Sequence, residues 1–125
     1  VVTYQVEAWK EVASAIIPHL HASWAEVEAV DVPGLDLEPD FAQYTALADH
    51  DLLQVVTVRD AGAVAGYHIS LIAPHMHYRN CLAAMTDTFY LTPVARKGWV
   101  AYRLMKRVEQ AWETRGVRFA TTMSK

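Results

Sequence analysis

Arg96, Lys97 and Gly98 stand between an alternating segment that ends Phe89-Tyr90-Leu91-Thr92-Pro93 and a long amphipathic run that ends at Gly116. A cationic, glycine-containing turn between a strand and a helix is suited to a phosphate. The first N–H groups of a helix have no partner within it and carry partial positive charge. Trp99, Val100 and Ala101 can therefore offer amides to a pyrophosphate while Arg96 and Lys97 add charge. Trp99 can stack on a bound cofactor, or pack against the sheet or a second subunit. Asp87 lies upstream between Met85 and Phe89 on what reads as an apolar strand face. Burial there would raise its pKa toward the range useful to a general base or an ammonium anchor. The other reading of Asp87 is structural, a carboxylate bonded to a loop backbone or an arginine. His75 and His77 flank Met76 and precede Tyr78 and Arg79. Imidazoles titrate near neutral pH and can shuttle a proton or touch a substrate. A metal would need a third ligand that nothing near them supplies, so no metal site is expected. Cys81 reads as a small buried residue, and His68 as a core histidine or one facing the substrate side.

Several elements must position these groups. Apolar residues Trp9, Val12, Ala13, Ile16, Ile17 and Leu20 recur at helical spacing, so Tyr4 to about Val30 reads as helix, kinked or divided at Pro18. Only a short remnant of a strand is expected over Val1 to Tyr4. The segment Val30 to Asp40 reads as loop from its Pro, Gly and Asp content. A short helix then carries Phe41, Tyr44 and Leu47 on one face. Leu52 to Arg59 and Ala63 to Ile72 read as a hairpin around Asp60-Ala61-Gly62, with Gly62 at positive φ. Leu82 to Leu91 alternates, Met85, Asp87, Phe89 and Leu91 on one face and Ala84, Thr86, Thr88 and Tyr90 on the other. Arg96 to Thr114 reads as helix, with Val100, Leu104, Val108, Ala111 and Trp112 toward the sheet and a glycine cap at Gly116. Val117 to Met123 should be a buried strand parallel to Leu82–Leu91.

Composition bounds the function. The chain of 125 residues is read as a single domain, 1–125, large enough for a core without disulfides or metal staples. No apolar stretch approaches a membrane span. A single cysteine and the lack of a signal segment make a reducing cytoplasm the simplest compartment. Eight acidic residues and no Lys or Arg fall between Glu26 and Asp51, whereas Arg96 to Arg107 holds five basic residues and no acid. A polyanionic cofactor suits the basic end and an ammonium substrate the acidic one, although both can be merely solvated faces. The basic patch is too small to argue for nucleic acid.

The stretch Leu91-Thr92-Pro93-Val94-Ala95-Arg96-Lys97-Gly98-Trp99-Val100-Ala101 resembles the acetyl-CoA-binding motif of the GCN5-related N-acetyltransferase superfamily. Arg96 matches the first position of the family's turn and Ala101 the last. Trp99 stands at its middle glycine, and Gly98 sits one residue early. The chain reads closest to small bacterial and phage-encoded members, whose third and fourth strands are joined by an aromatic- and His-rich loop. The resemblance implies an α/β fold, a central mixed sheet flanked by helices and truncated after the fifth strand. It implies acetyl-CoA as co-substrate and direct acetyl transfer to a primary amine of a small molecule, peptide or protein. Backbone groups around Phe89, Tyr90 and Leu91 would polarise the thioester carbonyl and pair with the pantetheine arm, Asp87 would be the base or amine anchor, and His75 and His77 would reach the acceptor. The tyrosine that the family often uses as general acid would lie beyond residue 125. The alternative is a non-catalytic acetyltransferase-like binding or assembly protein, and a homodimer is open to either.

Overall fold

The computed structural model describes residues 2–27, 41–75, 77–78 and 80–121. Its strands are β1 Val2–Glu7, β2 Leu53–Asp60, β3 Ala63–Pro74, β4 Leu82–Leu91 and β5 Val117–Thr121, and its helices α1 Trp9–Val27, α2 Phe41–Asp49 and α3 Val100–Arg115. The strands form one five-stranded sheet in the order β1-β2-β3-β4-β5. Neighbours are antiparallel from β1 to β4, and β5 is parallel to β4, so the sheet is mixed as expected.

Helices cover both faces. In β2, Leu53 to Val58 are all buried, the pattern of a strand enclosed on two sides. Leu53 and Val55 join Trp9, Val12, Ile16, Leu20, Tyr67, Ile69 and Tyr90 under α1, with Phe41, Tyr44 and Leu47 of α2 packed against them. Val56 and Val58 join Ile72, Ala84, Leu91, Leu104, Val108 and Trp112 under α3. Burying each such side chain contributes about 1.5–3 kcal/mol. The inward face of α3 is the one that its three- and four-residue spacing announces, and the helix ends at Gly116 with φ 85°. The hairpin turn also forms as expected, though Ala61 as well as Gly62 has positive φ, which gives the tight two-residue loop of a twisted hairpin.

Four expectations need correction. Val2–Glu7 is a strand, paired from Val2 opposite Asp60 to Glu7 opposite Val55, and the helix begins only at Trp9. As an edge strand, β1 exposes Val2 and Val6, so its sequence shows no buried alternation. Its anchor is polar: Arg59 donates from Nε to Glu7 Oε2 at 2.8 Å and from Nη2 to Oε1 at 3.0 Å, and this arginine holds the Glu7 carboxyl below its usual pKa. Second, α1 runs through Pro18 without dividing, because Ile16 and Leu20 keep it docked on either side of an exposed proline. Third, β5 is parallel but not buried, with Val117 half-buried and Arg118 and Ala120 exposed.

The fourth correction bears on the site. Ile69 pairs with Thr88 and Ser70 with Thr86, which leaves Asp87 as an extra residue in β4. Such a β-bulge puts consecutive residues on one side of a strand. Before it, Ala84 and Thr86 face α3; after it, Tyr90 faces α1 while Phe89 and Leu91 turn toward α3. Strict alternation through Asp87 is therefore broken. The expectations for Val30 to Asp40, for the start of α2 before Phe41 and for Met123 lie outside the described residues.

Candidate active site

The strand-to-helix turn is tighter than its sequence suggests. After Leu91 a short 3-10 turn over Pro93–Ala95 precedes Arg96, and α3 proper starts at Val100 with Trp99 as its N-cap residue. The Arg103 N–H to Trp99 carbonyl bond, 2.8 Å, is the first of the helix, so the amides of Val100, Ala101 and Tyr102 stand ahead of it. This moves the helix N-terminus four residues later than expected. Gly98 sits at φ +63°, in the left-handed region where a side chain is strained, with open space around it. Lys97, Gly98 and Trp99 are exposed. Trp99 is 67% exposed and its ring stands edge-on to Tyr102, 5.8 Å between centroids, rather than against the sheet. Arg96 turns back on the strand: its Nε donates to the Leu91 carbonyl at 2.8 Å and its guanidinium lies 5.5 Å from the Tyr90 ring centroid.

That bond also reports which way β4 presents its backbone. Leu91 gives its carbonyl to a side chain, so its polar groups point away from β3, and by alternation those of Phe89 do the same. Tyr90, the third residue expected to present backbone groups, faces β3. On the outer side β5 pairs only with Leu82 to Met85, so among the described residues the β4 edge from Thr86 onward has no strand partner. Gly66 closes the other side. A Cβ there would lie 2.5 Å from Leu91 Cδ2 and 2.6 Å from the Tyr90 carbonyl oxygen, so only glycine lets β3 approach the strand at this point.

Asp87 is exposed at the bulge, not buried between Met85 and Phe89, which are themselves 49% and 37% exposed. It accepts a hydrogen bond of 2.6 Å from the Tyr44 hydroxyl. Burial, then the bond to Asp87 and its negative charge, hold the Tyr44 hydroxyl far above its usual pKa, so it donates throughout the neutral range. Aromatic packing sets Tyr44 in place. Its ring lies 5.1 Å from that of Trp9, whose Nε1 donates to Thr45 at 3.2 Å, and Phe41 completes the cluster. Tyr44, Asp87, Gln43, Leu47 and Leu71 line a pocket of about 150 Å³. A carboxylate with one hydroxyl donor already bound, at the mouth of a half-apolar pocket, can take an ammonium as its second partner or accept an amine's proton.

His75 and His77 are not part of this group. They occupy a compact turn in which the His77 amide donates to His75 Nδ1 at 3.0 Å and the His75 ring lies 5.2 Å from that of Tyr78. This turn is at the Leu82 end of β4, five residues or roughly 17 Å along the strand from Asp87. Met76 and Arg79 lie outside the described residues. Half-buried Cys81 closes the same turn, its carbonyl accepting from the His75 amide at 2.8 Å. His68 is fully buried toward α3, away from the pocket, with Nε2 3.0 Å from Thr86 Oγ1. No cluster of metal-ligating residues occurs among the described residues, and no described helix is long and apolar enough to cross a membrane. Of the acidic run, Asp49 pairs with Lys10 at 2.7 Å and Asp51 with Arg115 at 3.3 Å, so neither is an unengaged carboxylate on an acidic rim.

Sequence reasoning missed Tyr44 and Gly66 as site residues. Tyr44 reads as one apolar position of a short helix, and its partner is 43 residues away. Gly66 stands in a strand, where an isolated glycine signals close backbone approach.

No family model matches the sequence, and no curated protein sequence matches it. Solved structures do match. An aminoglycoside acetyltransferase from an uncultured soil metagenomic sample, in complex with sisomicin, superposes with a TM-score of 0.75 at 11% identity, covering 99% of this chain and 78% of that one. A ribosomal-protein-alanine N-acetyltransferase from Brucella melitensis biovar Abortus 2308 gives 0.72 at 18% identity, covering 100% and 81%. A predicted acetyltransferase with acetyl-CoA from Clostridium acetobutylicum gives 0.73 at 10% identity, covering 100% and 82%. Identities this low establish shared architecture, and on that ground the chain has the fold of the GCN5-related N-acetyltransferases.

Proposed function

We propose that the protein is an acetyl-CoA-dependent N-acetyltransferase acting on a primary amine of a small molecule, peptide or protein. The observation that carries this reading is the outer edge of β4, which from Thr86 onward has no strand partner among the described residues, with the backbone groups of Phe89 and the N–H of Leu91 facing outward, running directly into the Gly98 turn and the open first turn of α3. A pantetheine arm can pair with such an edge as a strand would, and a pyrophosphate fits the amides of Val100, Ala101 and Tyr102 with Lys97 beside them. Tyr90 contributes its ring to the Arg96 contact, and Arg96 braces the turn through Leu91.

Acetyl-CoA would supply the activated acyl carbon. The chain's own part is to align, polarise and accept a proton. The Phe89 N–H, two residues along β4 from Asp87, would polarise the thioester carbonyl. Asp87 would hold the incoming ammonium and take one proton from it, which frees the lone pair that attacks, with Tyr44 fixing the carboxylate's orientation. Breaking of the C–S bond would release the sulfur as a thiolate, which takes the second proton that the nitrogen loses as it becomes an amide. Alignment of the two reactants across β4 supplies a large share of the rate. Neighbours of this fold include proteins described as binding aminoglycosides, which carry amines, and the Asp87 pocket suits an acceptor of that charge.

Calorimetric titration with acetyl-CoA and CoA tests the proposal, repeated on Lys97→Glu, a charge reversal at an exposed side chain. Saturable binding to the wild type, weakened about tenfold or more in the variant, is expected for a lost phosphate contact. A folded wild-type chain that binds neither ligand overturns the reading.

A further inference from the structure

Trp99, Tyr102, Arg103 and Lys106 lie three and four residues apart, which aligns them on one face of α3. That face is opposite Leu104, Val108, Ala111 and Trp112, which dock on the sheet. All four are exposed, the rings of Trp99 and Tyr102 by 67% and 56%. The rings meet edge-on at 75°, and Lys106 Nζ lies 5.4 Å from the Tyr102 ring centroid. Val94, 75% exposed, adds another apolar group on the loop leading into the helix. Two large aromatic rings left in water beside several cations are an unusual solvent face, in which Lys106 has only the long, exposed 3.9 Å ion pair to Glu109 and the segment from Arg96 to Arg107 holds no acid. They suit a ligand that is flat, apolar on its faces and anionic at its edge.

We infer that this face binds the nucleotide end of the acyl donor, the Trp99–Tyr102 corner stacking its base and Arg103 and Lys106 meeting a phosphate on its ribose. The inference rests on the acyl-CoA reading proposed above and adds a recognition element to it. Stacking on an indole face is favourable for a purine, and cations one turn further along answer the charge of a 3′-phosphate. From Val100 to Lys106 the helix rises about 9 Å, so a ligand whose pyrophosphate sits at the first turn can reach both. A tryptophan at the start of α3 then serves the donor from outside the turn, where its ring leaves Val100 and Ala101 accessible. The protein would accordingly discriminate CoA thioesters from those of bare phosphopantetheine.

The test compares CoA, 3′-dephospho-CoA and 4′-phosphopantetheine as ligands of the full chain, in wild type, Trp99→Ala and Lys106→Ala. Trp99→Ala should weaken CoA about tenfold, the scale of a lost base–aromatic stack, and leave phosphopantetheine unchanged. Lys106→Ala should weaken CoA and spare dephospho-CoA. If the wild type binds CoA and Trp99→Ala weakens CoA and phosphopantetheine alike, or neither, the stacking platform is wrong while the donor turn stands. If the wild type binds none of the three, the acyl-CoA reading falls and the platform with it. A dimer in solution that Trp99→Ala dissolves, with CoA affinity unchanged, assigns the face to a second copy and overturns the inference.

Discussion

His68 should make the fold acid-sensitive between pH 6.5 and about 4. The imidazole is 0% exposed, with Nε2 3.0 Å from Thr86 Oγ1, its ring edge-on to Trp112 and Phe89, and Nδ1 lacking a hydrogen-bond partner among the described residues. Burial pushes its pKa down to about 4 from 6.5. Between those values the unfolded chain holds a proton at this residue that the folded chain excludes. Stability therefore rises with pH across the window and is lost as pH falls below 6.5. At pH 4.5 the unfolded histidine is protonated by about a hundredfold and the folded one is mostly neutral, so acidification from pH 7.5 removes about 2.5 kcal/mol. Glu7, whose pKa Arg59 lowers, gives up its contribution only as pH falls through that depressed value, beneath the window. Urea unfolding of the wild type and of His68→Gln at pH values from 7.5 to 4.5 reads the difference. The variant can be less stable at every pH, because it repacks a buried ring, but its pH dependence should be flatter by that amount. Parallel stability curves for the two proteins would refute the assignment of a buried neutral imidazole.

Gly66→Ala places a methyl 2.5 Å from Leu91 Cδ2 and 2.6 Å from the Tyr90 carbonyl oxygen, and should cost about 1–3 kcal/mol in chemical or thermal unfolding. A variant as stable as the wild type would mean that β3 and β4 are not held this close. Tyr44→Phe removes the 2.6 Å bond to Asp87 and should lower kcat/KM for the amine about tenfold while leaving acetyl-CoA affinity unchanged. Loss of acetyl-CoA affinity instead, or unaltered kinetics, would place the pair outside acceptor binding.

The helix and hairpin patterns were legible because their signals are local. Leu104, Val108, Ala111 and Trp112 mark the buried face of α3 by spacing alone, and Gly116 marks its end. Arg96-Lys97-Gly98 was legible as a strand-to-helix turn for the same reason, although the 3-10 turn that delays α3 to Val100 was not. What stayed hidden depends on partners distant in sequence. β1 is stabilised by its ladder with β2 and by Arg59, so Val2–Glu7 carries no periodicity of its own. The bulge at Asp87 is a property of two strands together, and a one-residue offset reverses every face assignment beyond it. The expected burial of Asp87 on an apolar face gives way to an exposed bulge and a tyrosine from α2, neither of which local sequence announces. His75 and His77 flank the Leu82 end of β4 and do not line the Asp87 pocket, a placement that residue type and spacing do not reveal.

The most direct test of the central claim is to follow backbone amide resonances of the folded chain during titration with CoA. The account predicts saturable shifts at Phe89, Leu91 and Gly98 through Tyr102, with the turn from His75 to Cys81 unmoved. No saturable shifts, or shifts confined to the His75 turn, would contradict it.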